Sequence, residues 1–367
     1  MGPFPHDAPP AKISFENPAG TDGFEFVEFA HHDPNALKAL FEQMGFELVA
    51  RNKYRDIRVY RQGGVNFILN ADRQSFGGGF VDLHGPCAPA MAWRVVNAEH
   101  ALAHAVEQGA TPYLGTTGAK TIDAPAILGI GGSLIYFIDI FGAKGSPYDA
   151  EFDWVGERDP VPAGHGIDYI DHLTNNVFRG AMDRWYQFYQ NLFGFRQIRY
   201  FDISGKKTGL YSRALTSPCG KIRIPLNESA DDKSQIEEFL HQYKGEGIQH
   251  VACGSKDIYA TVKWLRANGL AFMPSPPDTY YKRIAARLPG HDESSELLRD
   301  SGILIDGEVV EGMRPKLLLQ IFSKTVIGPI FFEFIERKGD EGFGEGNFQA
   351  LFESIEADQI ERGVLRA

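Results

Sequence analysis

The chain repeats itself, and the repeat limits the folds open to it. GFEFVEFAHHDPNALKALFEQMGFELV, residues 23–49, follows the same plan as GIDYIDHLTNNVFRGAMDRWYQFYQNLFGFRQI, residues 166–198. Each opens with an alternating apolar stretch, which reads as a half-buried strand. A polar turn follows, and then an amphipathic helix. Each helix stops before a strand at a Gly-Phe pair, Gly45-Phe46 and Gly194-Phe195, where glycine suits a left-handed C-cap. A second pattern joins AMAWRVVNAEHALAHAVEQGATPY, residues 90–113, to GIQHVACGSKDIYATVKWLRANGLAFM, residues 247–273. There too a strand precedes a helix, which stops at Gly109 or Gly269. β-rich stretches follow, SLIYFIDIF at 133–141, then KLLLQIF and PIFFEFIER within 316–337.

These segments predict an α+β protein of four βαβββ modules in two pairs. Each pair curls its strands into a half-open barrel with a concave face that can hold a ligand or metal. At 367 residues the chain is long enough for two cores. The expected division is a flexible arm at 1–22, a first domain at 23–152 and a second at 165–367. DWVGERDPVPAGHG, residues 153–166, is the linker. In the tail, Phe348, Leu351, Phe352 and Ile355 fall on one face of a terminal helix. Gly342, Gly344 and Gly346 precede that face, so the helix is expected to act as a lid on a glycine hinge.

Composition removes several classes of function. The net charge is −11 and there is no Lys/Arg block, which argues against a nucleic-acid partner. The three cysteines, Cys87, Cys219 and Cys253, form no CxxC pair. That pattern fits a reducing cytoplasm rather than a disulfide framework. The N-terminus lacks the basic start and apolar run of a signal peptide. No apolar stretch is long enough to span a membrane.

Three residues of the second pair stand out by position. His172 lies in YIDHL, the first strand of the third module. His250 lies in IQHVA, the first strand of the fourth, and Glu333 lies in FFEFIE, the last β-stretch. Equivalent strands of related modules would present both histidines to one cavity, and the carboxylate completes a facial set. Two His and one carboxylate suit Fe(II), with three positions left open. A strand histidine is more often a satisfied core or surface group. Glu333 could be the polar side of an alternating strand, yet its neighbours are apolar, and a charge facing a cavity needs a partner. The first pair is an internal control: it places Phe29 opposite His172, Ala90 to Ala92 opposite His250, and Tyr136 opposite Glu333. None of these residues suits a metal, so the first domain reads as structural and the second as active.

Two other pairs mimic a metal motif. Asp33 precedes Pro34 at a helix start, so the pair His31 and Asp33 reads as capping. His291 and Glu293 lie in a polar stretch after Pro289-Gly290 and read as a solvated helix start.

At these residues the chain resembles the 4-hydroxyphenylpyruvate dioxygenase family, of the vicinal-oxygen-chelate, glyoxalase-like fold. The matching stretches are GIQHVA (247–252), FMPSPPDTYY (272–281), LLLQIFS (317–323), FFEFIERKG (331–339) and GFGEGNFQALFESIE (342–356). IRIPLNE (222–228) and SQIEEFL (234–240) also fit. The likeness is weak before residue 150 and strong after 165. It implies iron ligands at His172, His250 and Glu333, in agreement with the repeat. It implies polar pocket residues at Ser212, Asn227, Gln235, Gln249 and Gln320, and an aromatic wall of Phe322, Phe331, Phe343 and Phe348. Gln249 directly precedes His250, so a regular strand would turn it to the opposite face. A bulge or bend could reconcile the two.

The activity implied is oxidative decarboxylation of 4-hydroxyphenylpyruvate by O₂, with ring hydroxylation and side-chain migration, giving homogentisate and CO₂. The cofactor is one Fe(II) per subunit. Expected partners are the aromatic 2-keto acid, O₂ and further copies of the chain in a dimer or tetramer. The resemblance expects Phe348 to steer which carbon is oxidised. Two rivals share the fold: a 4-hydroxymandelate synthase, which oxidises the benzylic carbon, and a non-catalytic small-molecule-binding module.

Overall fold

A computed structural model describes residues 6–115, 119–204, 208–344, 346, 347, 349, 350, 352, 355, 359, 360 and 363. The first half contains β1 (Thr21–Ala30), α1 (Pro34–Gln43), β2 (Glu47–Asn52), β3 (Ile57–Gln62) and β4 (Val65–Asn70). It continues through α2 (Phe76–His84), β5 (Cys87–Val95), α3 (Ala98–Glu107), β6 (Ala126–Leu128), β7 (Leu134–Ile138) and β8 (Phe152–Trp154). The second half opens with β9 (Ile167–Val177), α4 (Met182–Phe193), β10 (Arg196–Ser204), β11 (Gly209–Thr216) and β12 (Arg223–Ser229). α5 (Gln235–Tyr243), β13 (Gly247–Ser255), α6 (Ile258–Ala267), β14 (Leu304–Glu308), β15 (Lys316–Phe322) and β16 (Phe331–Lys338) complete it. Three short helices lie between Asp278 and Ser301.

Local chemistry sets the helix ends. Asp33 caps α1 by accepting from the Asn35 N–H, with Pro34 at the start, so it is engaged as a cap. α4 ends at Gly194, whose φ of 70° is left-handed. Leu37, Leu40 and Phe41 are the buried face of α1. His291 Nδ1 accepts from the Glu293 N–H, and Glu293 binds Lys338.

The strands form two sheets, ordered β6-β7-β5-β1-β4-β3-β2-β8 and β10-β11-β12-β9-β13-β16-β15-β14. In each half the two modules meet through their first strands, β1 antiparallel to β5 and β9 antiparallel to β13. Modules one, three and four follow the βαβββ plan. The second departs from it: β8 leaves β7 and pairs with β2 at the far edge of the sheet. Thr21 and Asp22, assigned to the arm from the sequence, lie in β1. The preceding residues are also engaged. His6 stacks on Tyr169 at 3.6 Å, and Lys221 Nζ bonds the Pro9 carbonyl.

The register corrects one correspondence. Ala252 pairs with His172 on one side and Glu333 on the other, as Ala92 pairs with Phe26 and Tyr136. The counterpart of His172 is therefore Phe26, not Phe29. Counting from Gly23 slips because the register sets Thr21 against Ile167, so Gly166 answers to Gly20 and not to Gly23. Phe29 faces the other way and meets Phe332 across the halves, ring centroids 6.0 Å apart. Trp93 likewise packs on Phe193 and Phe195 at 4.8 and 5.5 Å. Aromatic pairs of this kind add about 0.5–1.5 kcal/mol each to ordinary burial. They fix the two sheets on one continuous core. Inside the first sheet, Phe26, Ile68, Ala90, Ala92, Leu134 and Tyr136 form a separate buried cluster.

Candidate metal centre

The concave face of the second sheet is polar at its centre. β9 supplies His172, β13 supplies His250 and β16 supplies Glu333, each no more than 3% exposed. His172 Nε2 lies 3.1 Å from Glu333 Oε2, and His250 Nε2 lies 3.4 Å from the same oxygen. The candidate ligand atoms all fall within 4.8 Å of one another.

The outward ring nitrogens decide what the inward ones can do. His172 Nδ1 is 2.8 Å from Asp171 Oδ1, and His250 Nδ1 is 3.1 Å from Gln249 Oε1. Both partners are acceptors, so each Nδ1 carries a proton and each neutral ring keeps its Nε2 lone pair for the centre. Two imidazole Nε2 atoms and one carboxylate oxygen converge on one point, the donor set of a facial metal site with open positions. The residues present thus fit a divalent transition metal.

Electrostatics agree. Burial alone would push the Glu333 carboxyl up, but His172 and His250 outweigh it and hold it down at about 2. Burial pulls His172 down, yet Glu333 and Asp171 together raise it above its ordinary value. His250 is lowered, chiefly by burial. Where His172 is protonated, the proton on Nε2 faces Glu333 Oε2, 3.1 Å away.

The predicted pocket residues divide between two adjoining cavities. Ser212, Asn227, Gln320, Phe322 and Phe343 line the one that holds the triad, a narrow space of about 30 Å³. Gln235, Gln249 and Phe331 line its larger neighbour, of about 390 Å³. Gln320 Nε2 donates to Glu333 Oε1 at 2.7 Å, and Phe343 sits edge-on to the His172 ring at 5.3 Å. Gln249 occupies a bulge: His250 pairs with Thr174 and Ile248 with Asn175, leaving one extra residue on β13. Its amide oxygen reaches Asn227 Nδ2 at 3.3 Å. Phe348 and Leu351 lie outside the described residues. Nearby, Ala350 and Ile355 pack on Leu304, Phe322 and Phe331, and Phe352 is buried. Gly344 has φ +64°, and a Cβ there would come within 2.5 Å of Gln320 Oε1. The chain before the terminal helix thus passes directly over a residue that holds Glu333.

Residues 15–153 match the N-terminal hydroxyphenylpyruvate dioxygenase (HPPD) family profile. Residues 169–300 match the glyoxalase, bleomycin resistance protein and dioxygenase superfamily. A 4-hydroxyphenylpyruvate dioxygenase of Pseudomonas aeruginosa is 52% identical over 97% of this chain and 99% of its own. The chain belongs to the 4-hydroxyphenylpyruvate dioxygenase family. Hemolysin VllY of Vibrio vulnificus, 54% identical over 95% of this chain and 98% of its own, is a further relative. A solved mutant of 4-hydroxymandelate synthase from Streptomyces coelicolor shares the fold. It has a TM-score of 0.78 over 92% of this chain and 99% of that one, at 23% identity.

Asp171, Arg223 and Arg337 were not singled out in the sequence. Asp171 is fully buried and accepts from Arg337 Nε at 2.6 Å and Nη2 at 2.8 Å, and from Arg223 Nη1 at 3.1 Å. Burial would raise its carboxyl, but the guanidiniums of Arg337 and Arg223 hold it well below the usual carboxylate range. One signal was available: Asp171 directly precedes His172.

Proposed function

We propose that this chain is an Fe(II)-dependent 4-hydroxyphenylpyruvate dioxygenase, converting 4-hydroxyphenylpyruvate and O₂ to homogentisate and CO₂. The observation that carries the metal reading is the convergence of His172 Nε2, His250 Nε2 and Glu333 on one point, with both Nδ1 atoms already engaged. The family relatives support the substrate. Fe(II), when bound, supplies adjacent open positions where the keto acid and O₂ meet and exchange electrons. The protein binds, orients and excludes water.

Glu333 enters as a carboxylate, since His172 and His250 keep it ionised. Gln320 holds its second oxygen and fixes the ligand's rotamer. Ser212 and Asn227 are buried polar groups of the triad's cavity and are assigned the orientation of the substrate. The aromatic ring has room on the side of Phe331 and Gln249, where the larger cavity lies. Phe322 and Phe343 shield the centre from solvent. Phe348 is assigned the steering of ring against benzylic oxidation. The terminal segment that carries it is assigned the lid. No described helix is long and apolar enough to cross a membrane; a cytoplasmic location and assembly as a dimer or tetramer belong to this proposal.

The test is product analysis by mass spectrometry after incubation of the iron-loaded protein with 4-hydroxyphenylpyruvate and O₂. Homogentisate is expected. 4-Hydroxymandelate would identify the rival synthase. Iron binding without O₂ uptake would leave only a binding module.

A further inference from the structure

The buried carboxylate beside His172 has a counterpart in the half without a metal set. By the strand register, Glu25 stands to Phe26 as Asp171 stands to His172. Glu25 is buried and accepts from Arg94 Nε at 2.7 Å and Asn66 Nδ2 at 3.1 Å. An acid pinned by an arginine is therefore part of how the first strand of a half is anchored, and by itself carries no function. What matters is what the second half adds.

It adds two connections. Asp171 Oδ1 accepts from His172 Nδ1 at 2.8 Å, so the anchor also orients a ligand ring. The guanidiniums that grip Asp171 also grip the chain leading to the terminal helix. Arg337 Nη1 donates to the Asp340 carbonyl at 2.9 Å and the Gly342 carbonyl at 2.7 Å. Arg223 Nη2 donates to Glu341 Oε2 at 2.6 Å. Phe343 follows at once, with its ring edge-on to His172. One cluster of two acids and two arginines thus joins a candidate metal ligand to residues 340–343.

We propose that Arg337, acting through Asp171, is a positioning residue that couples metal binding at His172 to the seating of residues 340–343. The physical basis is electrostatic. A dication on Nε2 polarises the imidazole and strengthens the Nδ1–H bond to Asp171. A better-fixed Asp171 in turn fixes the planar fork of Arg337, whose remaining N–H groups hold the two carbonyls. Coupling of this kind is reciprocal: the factor by which the metal favours the seated segment is the factor by which seating favours the metal. This inference rests on the metal reading of the site.

The experiment is hydrogen exchange with mass spectrometry on the full chain, metal-free and after anaerobic addition of Fe(II), together with an Fe(II) titration. In wild type, Fe(II) should slow exchange across 340–343. Arg337→Lys keeps the charge but loses the fork. It should bind Fe(II) about 10- to 100-fold more weakly, the usual effect of losing support behind a ligand, and the slowing should vanish. Glu341→Gln touches neither Asp171 nor the histidines and sits at the more exposed end of the cluster. It should weaken Fe(II) binding by a smaller factor, and it carries the test alone if Arg337→Lys fails to fold. Arg94→Lys, the matching change in the first half, should alter neither measurement. Wild-type binding of Fe(II) with unchanged exchange at 340–343 would overturn the inference alone. So would slowing that persists in Arg337→Lys, since Phe343 would then carry the contact without it. If wild type binds no Fe(II), the metal reading falls and this inference falls with it.

Discussion

The two halves of this molecule share a strand plan and register, and they differ in what points inward. At the positions where the second half places His172, His250 and Glu333, the first places Phe26, Ala90 and Tyr136. The apolar set closes the first barrel as a packed cluster. The second barrel keeps a buried carboxylate and two imidazoles at its centre, an arrangement that costs stability unless a cation completes it. A third pair extends the contrast. Thr174 of the pocket corresponds to Glu28, a buried carboxyl that Thr121 and Asn70 satisfy with hydrogen bonds. One scaffold therefore serves as a filled core or as a metal cradle. The choice lies in a few inward residues, while the register of the central strands stays alike.

The largest effect should come from breaking the second half's centre. Glu333→Gln keeps shape but removes the anionic ligand. Turnover should fall by more than the roughly 10- to 100-fold that losing a residue behind a ligand costs, while the metal-free protein loses less stability than the first-half variant that follows. The converse change in the first half should do the opposite. Tyr136→Glu buries a charge with no cation opposite it and should cost about 3–5 kcal/mol of stability, while Fe(II) binding per folded chain stays intact. Denaturant melts and iron titrations on both variants measure this. Equal loss of stability in the two would erase the distinction.

Next in size are the pocket amides. Asn227→Ala and Gln320→Ala should each lower kcat/KM by about 1–3 kcal/mol, the cost of leaving a buried partner unpaired. Gln320→Ala should also loosen iron, because its amide holds Glu333; Asn227→Ala should not. Steady-state kinetics with parallel iron titrations separate the two, and unchanged kinetics in both would exclude them from the pocket.

Much of this was legible from the repeat. Strand-turn-helix units ending at Gly45 and Gly194 located the modules. The same repeat located His172 and His250 on equivalent strands, because periodicity and caps are local properties. What failed was non-local or irregular. Matching Phe29 to His172 fails because Gly166 answers to Gly20 rather than Gly23, and only the assembled register shows which glycine is equivalent. Alternation alone turns Gln249 away while the resemblance places it near the pocket, and only the assembled strand pair shows the bulge that reconciles them. β8 left its module because edge pairing is decided by the assembled sheet. The Asp171 cluster joins residues 52 and 166 positions apart, which no spacing rule brings together.

A smaller effect is the proton that a metal must displace. His172 is raised by Glu333 and Asp171 despite its burial. Its protonated form therefore favours the metal-free fold below the ordinary histidine range, and that contribution is lost as pH rises through the raised value. Fe(II) competes with that proton, so affinity should climb with pH until this value is passed. Calorimetry in two buffers of different ionisation enthalpy should register proton release. Binding with no proton release and no pH dependence would remove this proton from the account.

The smallest expected change lies in the first half. Burial raises the Glu28 carboxyl above its ordinary value. Its neutral form stabilises the fold below the unfolded value, and that contribution fades as pH rises through the folded one. Glu28→Gln cannot ionise, so relative to wild type it should melt higher at pH 8.5 than at pH 5.5. A difference independent of pH would mean that Glu28 is not held neutral.

The central claim is that one half carries the metal and the other cannot. Anaerobic Fe(II) titration of metal-free wild type and His250→Ala, read by bound iron per chain, tests it most directly. We predict one Fe(II) per chain in wild type, and loss of tight binding in His250→Ala with the fold retained by circular dichroism. Two equivalents in wild type, or one equivalent bound as tightly in His250→Ala, would contradict it.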